Sequence, residues 1–134
     1  MHVTGACHCG AIRYRAVVDP EQVRLCHCTD CQRFSGSAYR VSVPTASGTF
    51  QFLAGVPKIY IKVADSGTRR AQAFCADCGS TVYSAAAETN PSSYSLRVGC
   101  LDQRAQLKPR RQIWHRSAIA WSADLHDVPA IETQ

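Results

Sequence analysis

Three cysteines lie within six residues in the segment Leu25-Cys26-His27-Cys28-Thr29-Asp30-Cys31-Gln32-Arg33-Phe34-Ser35-Gly36-Ser37. Thiolates this close together either bind a metal or repel one another, so the trio Cys26, Cys28 and Cys31 predicts a zinc-type site. A closed structural zinc site needs four protein ligands. Either a fourth ligand comes from elsewhere in the chain, or one position is open to water or substrate. That choice separates a structural module from an enzyme.

The remaining cysteines also favour metal binding. The 134-residue chain has 8 cysteines, of which four form the pairs Cys7-x-Cys9 and Cys75-x-x-Cys78. Four disulfides in a secreted protein are the alternative, but disulfide scaffolds space their cysteines more widely. The N-terminal residues lack the basic and apolar regions of a signal peptide, and no apolar run is long enough to span a bilayer. We therefore expect a cytoplasmic zinc protein without a membrane partner.

The formal net charge of +5 does not predict a nucleic-acid partner. Seven thiolates that hold two Zn²⁺ ions change this charge by −3, to about +2, because ligating thiols are deprotonated. The densest basic run, Lys108-Pro109-Arg110-Arg111, is short and predicts a solvated loop. No broad basic stripe with interleaved aromatic residues accompanies it.

Alternation of apolar and polar residues predicts a mostly-β single domain over residues 1–134, with seven to ten short strands and little helix. In the first alternating segment, Ile12, Tyr14 and Ala16 share one side of a half-buried strand. Strands are expected at residues 11–17, 38–43, 49–53, 58–63, 70–74, 81–85 and 94–98, with a further strand ending at Cys26.

Both cysteine pairs outside the trio stand beside glycine. Gly5 and Gly10 flank Cys7 and Cys9 and indicate a tight turn that brings the backbone close to a metal. The segment Cys75-Ala76-Asp77-Cys78-Gly79 lies between two predicted strands and has the outline of a zinc knuckle. Its glycine should take the left-handed conformation, so that local amides can hydrogen-bond the sulfurs.

The trio itself should begin a short helical turn. Thr29 or Asp30 can cap this turn, which continues through Phe34 and ends in Ser35-Gly36-Ser37. Cys28 and Cys31, at positions i and i+3, would then lie on one face and share a metal.

Spacing alone leaves the division of the cysteines open. Cys28 and Cys31 with Cys75 and Cys78 would make one four-cysteine site. Alternatively, Cys75 and Cys78 close a site with the N-terminal pair and leave the trio as a separate group.

Three ordered motifs resemble the glutathione-dependent formaldehyde-activating enzyme (GFA) family, which includes centromere protein V-type domains. They are Gly5-x-Cys7-x-Cys9-Gly10-x-x-x-Tyr14, Cys26-His27-Cys28-x-x-Cys31-Gln32-Arg33-x-Ser35-Gly36-Ser37 and Phe74-Cys75-x-x-Cys78-Gly79-Ser80. The resemblance continues through Gly99-Cys100-Leu101-Asp102 and Ile113-Trp114, so it covers about residues 5–121.

The resemblance implies an Mss4-like β-tent with two zinc ions. By the family pattern, Cys7, Cys9, Cys75 and Cys78 hold a structural zinc, and the trio holds a catalytic zinc. The family's named reaction joins formaldehyde to glutathione and is classed with the carbon–sulfur lyases. The resemblance thus implies a small thiol partner such as glutathione; the alternative is a non-catalytic zinc module whose metals hold the fold and a partner-binding surface.

The charge of the trio adds a physical argument for a thiol substrate. Three thiolates leave a Zn²⁺ ion formally −1, which reduces its Lewis acidity and favours exchange of thiolates over activation of water.

Other residues near the motifs are weaker candidates. Arg33 is a candidate for binding a substrate carboxylate, whereas packing or turn roles are expected for the rest. The others weighed are His8, His27, Ser35, Ser37, Cys100, Trp114 and His115.

Overall fold

The computed structural model describes residues 1–133, which form ten β-strands, one α-helix and five short 3-10 turns. The strands are β1 (His2–Ala6), β2 (Arg13–Val17), β3 (Arg24–Cys26), β4 (Arg40–Pro44), β5 (Gln51–Ala54), β6 (Lys58–Val63), β7 (Arg69–Phe74), β8 (Thr81–Ala86), β9 (Ser95–Arg97) and β10 (Arg111–Ile113). The helix α1 spans Thr29–Ser35. The predicted mostly-β single domain is confirmed.

The strands form two sheets. The small sheet has the order β1-β2-β5, and the large sheet has the order β10-β3-β4-β9-β8-β7-β6. Every strand pair is antiparallel except β10 with β3, which are parallel. Within the described chain, no helix is long and apolar enough to cross a membrane.

The core lies between the apolar faces of the two sheets. Ile12, Tyr14 and Ala16 are all buried, as the alternation predicts. The Phe50 ring lies between the two sheets, 5.6 Å from the Tyr14 ring in β2 and 5.5 Å from the Tyr83 ring in β8. Tyr94 stacks on Phe50 at 4.3 Å. Burial of these large rings supplies much of the apolar area that stabilises a domain of this size.

Two strands, β1 and β10, were not predicted. β1 pairs with β2 and brings Gly5 opposite Tyr14. A Cβ at Gly5 would lie 2.6 Å from the Tyr14 hydroxyl oxygen, so only glycine fits this close approach. β10 pairs with β3, and Arg111 of the basic run is therefore a strand residue rather than a loop residue.

The expectation of core packing for Trp114 is wrong. Its side chain is 54% exposed, and Arg116 lies over its ring at 5.1 Å. Trp114 has a φ of 56°, the one positive φ of a non-glycine residue in the part of the chain that the structure describes. This left-handed residue lies between β10 and the 3-10 turn His115–Ser117 that follows.

Candidate functional site

Four cysteines from two turns meet at one end of the fold. Cys7 and Cys9 follow β1, and Cys75 and Cys78 lie in the turn between β7 and β8. Their four sulfurs lie within 4.8 Å of one another. The Cys7 and Cys9 sulfurs are 3.5 Å apart, and those of Cys9 and Cys75 are 3.8 Å apart. We call this group the quartet.

Backbone and hydroxyl groups around the quartet favour thiolates. The Ile12 N–H donates to Cys7 Sγ at 3.3 Å. The Ser80 hydroxyl oxygen, 3.3 Å from Cys78 Sγ, lowers the pKa of the Cys78 thiol to about 5. Gly79 has a φ of 74°, the left-handed conformation that the knuckle motif predicts. Such hydrogen bonds to sulfur orient the ligands of a metal site.

The trio forms a second, local group. Cys26 ends β3, Cys28 is the residue that caps α1, and Cys31 lies in the first turn of the helix. The three sulfurs lie within 4.8 Å of one another, with Cys26 and Cys28 at 3.5 Å. The Cys31 N–H donates to Cys28 Sγ at 3.4 Å. The helix cap is therefore a sulfur of the trio, and the prediction of Thr29 or Asp30 as the cap is wrong.

Hydrogen bonding within the trio favours a thiolate at Cys26. The Cys31 thiol, followed by the Cys28 N–H and the charge of Arg40, lowers the pKa of Cys26 to about 5 despite burial. Hydrogen bonding to Cys26 and burial raise the pKa of Cys31 in return. The group therefore already carries negative charge at neutral pH, as metal-binding cysteines require.

The sulfur separations test whether these groups fit zinc. Zinc–thiolate bonds of about 2.3 Å in a tetrahedron place neighbouring sulfurs about 3.8 Å apart. The closest sulfur pairs in the two groups lie at 3.5–3.8 Å, so both groups fit such an ion with small adjustments. The quartet supplies all four ligands of a closed site. Among residues 1–133, no further cysteine, histidine or carboxylate has a ligand atom within 4.8 Å of all three trio sulfurs.

The trio opens onto a cavity of about 180 Å³. Its floor is one face of the large sheet, and α1 contributes Asp30, Cys31 and Phe34 to its wall. The lining side chains from the sheet are mostly polar or cationic: Arg24, Cys26, Arg40, Ser42, Lys62, Arg70, Gln72, Ser84, Ser95 and Ile113.

Strand register explains why these side chains meet. Cys26 pairs with Arg40, and Arg24 pairs with Ser42. Positions two apart in a strand share a face, so this pattern continues across β9, β8 and β7 to Arg70 and Lys62. The opposite face carries apolar residues such as Val43 and belongs to the core. One face of the large sheet is therefore polar although much of it is buried.

Hydrogen bonds hold the arginines of this polar face in place. Gln72 Oε1 accepts from Arg40 Nη1 at 3.3 Å and from Arg97 Nη2 at 3.1 Å. Arg24 Nη2 donates to Ser95 Oγ at 3.2 Å. Burial, followed by the charge of Arg40, lowers the pKa of Arg97 to about 9, which leaves this guanidinium protonated at neutral pH.

Two comparisons place this arrangement among known proteins. The family model described as "Glutathione-dependent formaldehyde-activating enzyme" (GFA) matches residues 2–117. The chain belongs to this family. A crystal structure of a Rhodobacter sphaeroides protein is also similar, with a TM-score of 0.61 and 20% sequence identity over 81% of this chain and 98% of that chain. At this identity the likeness supports the fold alone.

The GFA match includes both cysteine groups, and the structure assembles them as the family resemblance implies. The alternative division, with Cys28 and Cys31 joined to Cys75 and Cys78, is wrong because the four sulfurs do not share one group. Cys100 belongs to neither group; its Sγ donates to the Thr81 carbonyl at 3.3 Å. Two groups in this GFA chain can therefore hold metal ions.

The histidines close in sequence to the cysteine groups and to Trp114 do not line the trio cavity. His27 is 4% exposed, its Nε2 lies 2.6 Å from Gln112 Oε1, and its ring packs edge-on against Tyr39 and His115. This matches the packing role expected for it. His115 is exposed and lines a separate cavity together with His27. His8 is also exposed.

Arg33 and the two serines do not line the trio cavity. Arg33 is exposed on the outer side of α1. The Ser35 hydroxyl donates to the Cys31 carbonyl at 2.8 Å, a local helix-end contact, and Ser37 is exposed beyond it. The arginines that do face the trio are Arg24, Arg40 and Arg70, which the sequence argument missed.

The sequence pattern could have predicted the position of one of these arginines. Arg24 precedes Cys26 by two residues, and alternation in a strand puts both on the same face. Arg40 and Arg70 gave no such signal, because their position depends on which strands pair and in which register.

Proposed function

We propose that this GFA-family chain is a zinc-dependent enzyme that acts on a small thiol or a thiol–aldehyde adduct, with chemistry like that of S-hydroxymethylglutathione synthesis. The observation that supports it is the contrast between the two cysteine groups. The quartet has four sulfurs, whereas the trio has three and lines a polar cavity. A three-ligand site with a cavity is the usual arrangement of catalytic zinc, and a four-ligand site that of structural zinc.

In this proposal the quartet residues Cys7, Cys9, Cys75 and Cys78 hold a structural zinc, and Cys26, Cys28 and Cys31 hold a catalytic zinc. A zinc ion bound by the trio would keep a position for an exchangeable ligand, lower the pKa of an incoming thiol and polarise a carbonyl oxygen. The ligands are thiolates, so a sulfur substrate is favoured over water as the exchangeable ligand.

The reaction class requires no oxidant or reductant. The thiol sulfur forms a bond to the carbonyl carbon, the carbonyl π bond breaks, and the thiol proton ends on the former carbonyl oxygen. The reverse reaction breaks the same carbon–sulfur bond, which is the chemistry of a carbon–sulfur lyase. The role of the chain is to hold both partners in the cavity, since proximity contributes much of the rate of a bimolecular addition.

The free thiols of both groups require a reducing compartment, so we place the protein in the cytoplasm. The whole chain, residues 1–134, acts as one domain in this proposal. A nucleic-acid partner is not part of it, because the cationic side chains of the polar face line the trio cavity together with its sulfurs.

Thiol titration of the cobalt-substituted protein tests the proposal. Cobalt replaces zinc and reports on its ligands through thiolate charge-transfer absorption. Glutathione or 2-mercaptoethanol should change the spectrum of one of the two metal equivalents, and the protein should accelerate exchange between formaldehyde and its thiol adduct measured by NMR. Cys28→Ser should abolish both effects, whereas Cys100→Ser, outside both groups, should keep them.

A non-catalytic zinc module remains the competing function. Exposed apolar side chains on β5 and β6 would suit contacts with a partner; they are Phe52, Leu53, Ile59, Tyr60 and Val63. Absence of any thiol-dependent spectral change at millimolar thiol, in a protein with two bound metals, would refute the enzyme and favour this module.

A further inference from the structure

The cationic side chains of the trio cavity lack acidic partners. Lys62 pairs with Asp30 at 2.6 Å. In the range 1–133, Arg24, Arg40 and Arg70 have no carboxylate within 4.0 Å. Buried and half-buried arginines normally pair with carboxylates, because desolvating an unpaired charge costs free energy. These three arginines therefore face the cavity with charge left unmatched by carboxylates.

The trio does not provide enough negative charge to balance them. Three thiolates with one Zn²⁺ carry a formal charge of −1, against three positive charges on Arg24, Arg40 and Arg70. Arg97 adds a fourth positive charge directly behind Gln72, where it is 5% exposed. The holoprotein thus retains an excess of positive charge around the cavity, and an anionic ligand would reduce it.

Guanidinium donors are also left free in this cluster. The Nε atoms of Arg40 and Arg97 are buried and have no hydrogen-bond partner among the described residues. Arg40 lines the cavity, and its Nη1 shares the Gln72 oxygen with Arg97. An unmet buried donor is unusual in a folded protein. A carboxylate accepts charge-assisted hydrogen bonds from guanidinium groups, and Arg24, Arg40 and Arg70 all line the cavity.

The volume of the cavity limits the size of the ligand that it can enclose. Its volume of about 180 Å³ is below the roughly 300–1,000 Å³ of pockets that enclose drug-sized molecules. A glutathione-sized tripeptide would extend well outside it. A thiol with a carboxylate a few bonds from the sulfur would place the sulfur at the trio and the carboxylate at the arginines.

We propose that the trio cavity selects a short thiol that carries a carboxylate, with Arg24, Arg40 and Arg70 as the residues that determine this specificity. The proposal rests on the proposed function, in which the trio binds a thiol. It adds that the anionic group, and not the sulfur alone, decides which thiol binds.

Four probes distinguish thiol binding through the sulfur alone from binding that also depends on the carboxylate. They are tested on the cobalt-substituted, full-length protein. The probes are 3-mercaptopropionate (thiol and carboxylate), 2-mercaptoethanol (thiol without carboxylate), propanoate (carboxylate without thiol) and glutathione (both, but larger). Spectral titration gives the affinity of the thiols, and calorimetry gives that of propanoate. We expect 3-mercaptopropionate to bind at least about tenfold more tightly than 2-mercaptoethanol, the scale of one charge-assisted hydrogen bond. It should also bind more tightly than glutathione, and propanoate should compete with it.

Arg40→Met should weaken 3-mercaptopropionate and propanoate by at least about tenfold more than it weakens 2-mercaptoethanol, which lacks the carboxylate. Arg33→Met is the matched control, because it removes an exposed arginine of the neighbouring helix outside the cavity. Arg24→Met is the second cavity variant if Arg40→Met does not fold. Metal content and circular dichroism confirm the fold of each variant.

Equal affinities for 3-mercaptopropionate and 2-mercaptoethanol would overturn the proposal, as would equal effects of the cavity and control variants. Glutathione binding as tightly as 3-mercaptopropionate would overturn the size argument. If no thiol changes the cobalt spectrum, the proposed function fails and this specificity fails with it; arginine-dependent propanoate binding would then identify an anion site that is separate from thiol chemistry.

Discussion

Replacing one sulfur of the quartet should destabilise the protein far more than replacing one sulfur of the trio. The quartet joins Cys9 to Cys75, which are 66 residues apart, and so connects the turn after β1 with the turn between β7 and β8. The trio closes a loop only from Cys26 to Cys31. A metal link acts on the unfolded chain as a cross-link does, so its entropic contribution grows with the length of the loop it closes.

The chain-entropy relation gives the size of the difference. Closure of a 66-residue loop stabilises by about 4 kcal/mol, and closure of a six-residue loop by about 2 kcal/mol. A domain of this size has a free energy of unfolding of about 5–15 kcal/mol. Loss of the quartet link in Cys78→Ser should therefore lower Tm by roughly 10–20 °C, and loss of the trio link in Cys28→Ser by roughly 5–10 °C.

Thermal unfolding followed by circular dichroism, together with zinc content by mass spectrometry, measures both quantities. Each variant should lose one zinc equivalent, and Cys28→Ser should remain folded with the other. Cys100→Ser is the control, since it belongs to neither group and should keep both ions. A Cys28→Ser protein that loses one ion and is destabilised as much as Cys78→Ser would refute the division into structural and catalytic sites.

Three further predictions concern the packing and the metals. Tyr14→Phe should stabilise the protein by about 1–3 kcal/mol in denaturant unfolding, because the buried Tyr14 hydroxyl has no hydrogen-bond partner among residues 1–133; a loss of stability would show that the hydroxyl does have one. Gly55→Ala should cost more than Gly36→Ala, since both have positive φ but only at Gly55 would the Cβ meet the Ala11 carbonyl. We expect about 1–2 kcal/mol at Gly36 and about 1–3 kcal/mol more at Gly55, and equal costs would contradict the clash. A colorimetric chelator should release one zinc quickly and one slowly, because the trio has fewer ligands and opens onto a cavity; Cys28→Ser should remove the fast phase, and a single phase in the wild type would argue against two unlike sites.

The local pattern of apolar, polar and glycine residues was sufficient to predict much of the fold. The alternation in β2 correctly predicts burial of Ile12, Tyr14 and Ala16, and β6 was predicted with its observed bounds, Lys58–Val63. Gly36 ends α1 in the left-handed conformation, which is common for a glycine at the C-terminal end of a helix. These features depend on side chains a few residues apart, so the sequence displays them directly.

Features that depend on distant partners were missed. β10 is three residues long and gains its strand character from pairing with β3. Trp114 follows it and is exposed, because a short terminal strand has no apolar face above it to cover so large a ring. Hydrophobicity alone therefore predicted the wrong environment for this residue.

The cysteine spacing by itself predicted a metal site built from cysteines, with three candidate ligands rather than four in the trio. Thiolate ligands need to be close, and residues one to three positions apart are close in any fold. Only the tertiary structure decided which cysteine pairs come together and what surrounds the trio. Arg24, Arg40 and Arg70 come from three strands, and strand register brings them to one cavity. Register is set by the packing of the whole sheet, so no local stretch of sequence could reveal the charge around the trio.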